Sequence, residues 1–152
     1  MKMTACFAAA ALTVLSVSCR TIDGGEKGFL DAPAAERARM LKESEKLGDG
    51  ILKAFQEGDF AALQRSMPGE LGRQMTEKDF VASRRNLREK FGDIRDFEML
   101  TALDTPAFGN QIWIVTFLRR GTNGTEIRRQ LLFRLVTMEV DGKTEVASCG
   151  FL

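Results

Sequence analysis

The hydrophobic period of this chain changes once, at Gly92, and that change constrains the fold more than any other feature. Upstream, apolar residues recur every three or four positions; downstream they alternate. A run of helices followed by a run of strands packs as an α+β domain, with the helices gathered on one face of an antiparallel sheet.

The helical half divides cleanly. "AAERARMLKESEKLGDGILKAFQEGD" places Leu41, Leu47, Ile51 and Phe55 on one face, with charged residues elsewhere. Gly48 and Gly50 weaken this helix and predict a bend, and Gly58 ends it. Asp59 is placed to cap a short helix, "FAALQRSM", closed by Pro68. "TEKDFVASRRNLREKFG" reads as a third helix, capped by Thr76, with Phe80, Leu87 and Phe91 on its apolar face and Gly92 as its stop.

Four strands follow, over residues 97–103, 110–120, 125–138 and 143–151. "GTNG" joins the second to the third, with Asn123-Gly124 able to adopt positive φ, and Asp141-Gly142 joins the third to the fourth. The expected inner face groups Ile112, Ile114, Thr116 and Leu118 with Ile127, Arg129, Leu131, Phe133 and Leu135. The expected outer face carries Trp113, Val115, Phe117 and Leu132, an apolar patch for a second copy or another envelope protein.

The helix ending in Gly58-Asp59-Phe60, the later helix and the four strands closing on "TEVASCGFL" resemble the nuclear transport factor 2-like (NTF2-like, cystatin-like) cone, over about Ala34 to Leu152. The likeness is to short exported bacterial domains. It implies a curved four-stranded sheet wrapped over three N-terminal helices around a conical pocket. Enzymes of that superfamily use Asp and Tyr in the pocket; this chain has no Tyr, so no catalytic residue carries over. Arg84, Thr116, Arg129, Phe80 and Phe133 are the residues expected to line such a pocket, the two arginines as an anion fork or, alternatively, snorkelling to the rim.

The N-terminus points to export. Lys2 precedes an uncharged, apolar Thr4–Val17. That stretch is of signal-peptide length and short of the roughly 20 residues a spanning helix needs. Ser16-Val17-Ser18-Cys19 resembles a bacterial lipobox, which implies cleavage before Cys19 and a lipid on its thiol. Ser16 stands where such motifs usually carry Leu. A secreted chain with a free Cys19, or an uncleaved anchor, are the alternatives. The organisation expected is a signal peptide over 1–18, a tether over 19–33 and one domain over 34–152. Arg20 after the cysteine leans toward the outer membrane.

Composition narrows the chemistry. The chain has no His, which removes the commonest metal ligand and general base. With residues 1–18 removed, basic and acidic side chains balance at 21 each, giving no global drive toward nucleic acid. Cys149 has no partner for an intramolecular disulfide once Cys6 and Cys19 are assigned, and no base to activate it. No motif for a metal or cofactor is present. Three readings follow: a binding or assembly module taking a small molecule or a partner protein, a small pocket enzyme, or a structural accessory with a filled cone.

Overall fold

The structure, a computed structural model, describes residues 32–104 and 108–152. The export segment, Cys19 and nearly all of the tether fall outside them. Four helices precede four strands: α1 (Ala34–Glu57), α2 (Phe60–Ser66), α3 (Glu70–Gln74), α4 (Glu77–Phe91), β1 (Asp93–Asp104), β2 (Gly109–Arg120), β3 (Glu126–Val140) and β4 (Lys143–Phe151). The sheet is an antiparallel meander in the order β1-β2-β3-β4.

The caps act as expected. Asp59 accepts from the Ala62 amide at 2.9 Å and Thr76 from the Asp79 amide at 3.2 Å, each satisfying an amide that its helix cannot. The short α3 carries too little periodicity to be read from sequence, so the described residues hold four helices rather than three.

α1 does not break at its glycines. Its buried stripe is Met40, Ser44, Gly48, Ile51 and Leu52 rather than one of large apolar residues alone. Gly48 serves close approach: a Cβ there would lie 2.2 Å from the Trp113 ring. The missing side chain lets the indole of β2 lie directly on the helix backbone.

The expected sheet faces are corrected at β2. A turn centred on Asn123-Gly124 would pair even residues of β2 with odd residues of β3. The hairpin instead closes on Arg120 opposite Glu126, with the Gly121 amide donating to the Thr125 carbonyl at 2.8 Å and the Gly124 amide to Gly121 at 3.0 Å. Gly124 alone is left-handed, at φ 78°, and Asn123 spends its side chain accepting from Thr125. The loop thus holds one more residue than a two-residue turn allows. A one-residue slip reverses a strand's faces. Trp113 therefore pairs with Phe133, Val115 with Leu131 and Phe117 with Arg129.

Trp113, Val115 and Phe117 are consequently 0% exposed in the core and form no outer patch. Ile112, Ile114 and Leu118 take the outer face, beside Leu132, which is 37% exposed. Asp141-Gly142 forms the expected tight turn, both residues left-handed at φ 51° and 73°.

Candidate functional site

The concave face of the sheet, where a conical pocket would lie, is filled. Aromatic rings run through it in contact: Trp113 to Phe133 at 6.0 Å between centroids, Phe133 to Phe151 at 5.3 Å, Phe151 to Phe117 at 5.7 Å and Phe117 to Phe91 at 5.8 Å. These edge and tilted geometries are the favourable ones for rings of this spacing. Beneath the helices, Phe80 packs on Phe55 at 5.0 Å and on Phe60 at 5.8 Å.

The polar groups of the interior are engaged structurally. Ser44 Oγ donates to the Met40 carbonyl at 2.8 Å and is hydrogen-bonded to Thr137 Oγ1 at 2.7 Å. Trp113 Nε1 donates to Asp49 Oδ1 at 3.0 Å. Gln111 donates to the Leu41 carbonyl at 2.9 Å, and its Oε1 has no donor among the described residues. Burial pushes the Cys149 thiol up to about 11, so the thiolate a nucleophile needs is scarce at neutral pH.

Of the five residues expected to share a pocket, Phe80 and Arg84 line one cleft, and Thr116, Arg129 and Phe133 do not join them there. Phe80 and Phe133 are core residues. Thr116 is buried on the opposite face, accepting from Gln130 at 3.4 Å. Arg129 is exposed on the inner side of β3. Arg84 is held by backbone carbonyls rather than snorkelling freely. Its Nε donates to the Phe55 carbonyl at 2.8 Å and its Nη2 to the Gln56 carbonyl at 3.1 Å. A guanidinium there satisfies the orphan carbonyls of α1 and offsets the negative end of its dipole. α1 has no basic residue of its own in its last turn.

An open concavity lies elsewhere, where α4 and the end of α1 meet the start of β1 and the end of β2. It is a cleft of about 1200 Å³ lined by six arginines, at 84, 85, 88, 95, 119 and 120, against three carboxylates, Glu89, Asp93 and Glu126. Phe80, Val81, Ile94 and Leu118 give it an apolar floor. Arg88 is paired with Asp93 at 2.6 Å and Arg85 with Glu89 at 4.0 Å. Arg95, Arg119 and Arg120 have no side-chain acceptor among the described residues.

Arg119 and Arg120 close β2, whereas the place of Arg95 does not follow from the alternation of β1. Arg95 sits at a register shift in β1, between Ile94 and Asp96. Gln56 Nε2 pins that irregularity by donating to the Ile94 and Arg95 carbonyls at 3.3 and 3.1 Å. A bulge turns a side chain out of the regular alternation, and nothing in the local sequence marks it.

No protein-family model matches this sequence, and no curated protein matches it. Solved structures do share its arrangement. A protein from Catenulispora acidiphila solved at 2.5 Å has 15% identity, over 78% of this chain and 94% of that one, at a TM-score of 0.51. Aln2 from a Streptomyces species has 12% identity, over 78% and 91%, at 0.48. An NTF-2 like protein of unknown function from Shewanella oneidensis has 14% identity, over 79% and 98%, at 0.40. The first of these likenesses speaks to the fold alone.

Proposed function

We propose that this chain is a lipid-anchored module of a bacterial cell envelope, built on an NTF2-like cone, that binds or assembles without catalysing a reaction. The observation that carries the non-catalytic part is the ring stack from Trp113 to Phe91, which occupies the volume a pocket enzyme would use. The Cys19 lipobox resemblance carries the anchoring part. The outer membrane is the favoured site of anchoring.

Assembly would use the outer sheet face, now made of Ile112, Ile114 and Leu132, against a second copy of this chain. Leu132→Glu should then convert a dimer to a monomer in native mass spectrometry, and a wild-type chain that is monomeric at high concentration refutes that use of the face. For the anchor, the chain is expressed in a bacterium and its membrane fraction analysed by mass spectrometry. A diacylglycerol mass on Cys19, lost with release into the periplasm in Cys19→Ser, is expected. A chain that keeps residues 1–18 and stays in the cytoplasm overturns the reading.

A further inference from the structure

We propose that the arginine-lined cleft binds a phosphate monoester, held by Arg95, Arg119 and Arg120 above a floor of Ile94 and Leu118. The inference rests on the reading of the chain as a non-catalytic binding module and supplies its ligand class.

The argument begins with charge. The chain as a whole is close to neutral, with 22 basic and 21 acidic residues. The cleft concentrates arginine against that background, and its ion pairs leave an uneven remainder. Arg85 and Arg88 are matched by Glu89 and Asp93, and Arg84 is spent on the carbonyls of α1. Three arginines then face one unpaired carboxylate, Glu126. Arg84 keeps its charge while bonded to neutral carbonyls, so the cleft as a whole carries three positive charges in excess, six arginines against three carboxylates, and a dianion offsets more of that excess than a monoanion does. Arginine also presents a planar fork that meets phosphate oxygens two at a time.

The second observation is that the site is built rather than a loose rim. Arg95 lines it at the point where β1 breaks register, and Gln56 holds the break with two hydrogen bonds from α1. An irregularity secured from another element fixes a side chain's origin before any ligand arrives, which lowers the ordering cost of binding. The third is the floor. Val81 is 55% exposed at its edge, and Ile94 and Leu118 are partly so. Apolar surface beside unpaired guanidinium groups suits an ester carrying a small organic group better than a bare ion.

The test is isothermal titration of the full chain, in nonionic detergent, with phenyl phosphate, glycerol 3-phosphate and phenyl sulfate. Phenyl phosphate is expected to bind at least about tenfold tighter than the monoanionic phenyl sulfate, and to weaken by about tenfold or more in Arg95→Gln/Arg119→Gln. Arg73→Gln, on α3 and outside the cleft, should leave the affinity unchanged. Tighter binding of glycerol 3-phosphate assigns the site to a lipid headgroup; tighter binding of phenyl phosphate assigns it to a soluble ester; both support the cleft. Absence of binding, equal binding of sulfate and phosphate, or indifference to the double variant overturns it. Release of inorganic phosphate from a bound ester leaves the site standing and refutes the non-catalytic reading instead.

Discussion

Replacing Gly48 by alanine tests the contact on which the core is organised. At an exposed mid-helix glycine, alanine stabilises by about 1 kcal/mol, because glycine loses more backbone freedom on folding. At Gly48 the added carbon would lie 2.2 Å from Cζ2 and Cη2 of Trp113 and 2.9 Å from its Cε2. Carbon atoms pack at about 3.5–4.0 Å, so helix and strand would have to part by more than about 1 Å. The indole cannot swing aside. It is fully buried, packed edge-on to Phe133, and tied through Nε1 to Asp49. Overpacking of this severity falls at the upper end of the usual range, about 3 kcal/mol, and leaves a net loss of about 2 kcal/mol after the propensity gain. In a Trp113→Phe background the two clashing atoms are gone, and Gly48→Ala should become neutral or stabilising by up to about 1 kcal/mol. Urea titrations of the four proteins, followed by far-ultraviolet circular dichroism, give the coupling directly. If Gly48→Ala stabilises the wild-type chain, or costs the same in both backgrounds, the helix and the indole are not in the contact described.

Other expectations follow from the same packing. Arg84→Ala removes two charge-assisted bonds to the end of α1 and should cost about 1.5–3 kcal/mol in urea unfolding; Arg84→Lys, which lacks the fork, should recover only part of it. Ser44→Ala strands the buried Thr137 hydroxyl and should cost about 1–3 kcal/mol, most of it regained in Ser44→Ala/Thr137→Val. Hydrogen bonding from Thr144, and then Arg39, holds the Glu43 carboxyl below its usual range. The folded chain therefore binds fewer protons there than the unfolded one, and stability falls as pH drops through the carboxylate range. Thr144→Val should flatten that fall in thermal melts at stepped pH. Cys149 should resist iodoacetamide at neutral pH until urea is added, as read by mass of its peptide.

The alternation after Gly92, the caps at Asp59 and Thr76 and the turn at Asp141-Gly142 were enough to place α1, α2 and α4, the strand order and the fourth-strand hairpin, but not the short α3. The face of β2 was not legible, because it depends on how many residues the Gly121–Thr125 loop holds, and Asn123-Gly124 suits a shorter turn as well as the observed one. Both faces of that strand are apolar enough for either choice: Ile112 and Ile114 on one, Trp113 and Val115 on the other. The decisive hint was Gly48, a helix position empty enough to receive an indole, and it registers as a weakness when helices are judged by propensity alone. The cleft was half legible. Arg119 and Arg120 sit where the strand ends, whereas Arg95 depends on a bulge held by Gln56 from a helix nearly forty positions away. Arg84 was placed on the right helix, but its bonds go to the carbonyl terminus of α1, a second kind of partner that a guanidinium can take.

The burial of Trp113 has a spectroscopic consequence. It is the sole tryptophan, and the chain has no tyrosine, so its indole is the only strong near-ultraviolet emitter the protein possesses. That emitter sits where α1, β2 and β3 meet, shielded from water and hydrogen-bonded at one edge to a surface carboxylate. Its emission should be blue-shifted in the native state and move to the red only when helix and sheet separate. Light from one residue thus reports the joint between the two halves of the fold, with no label added.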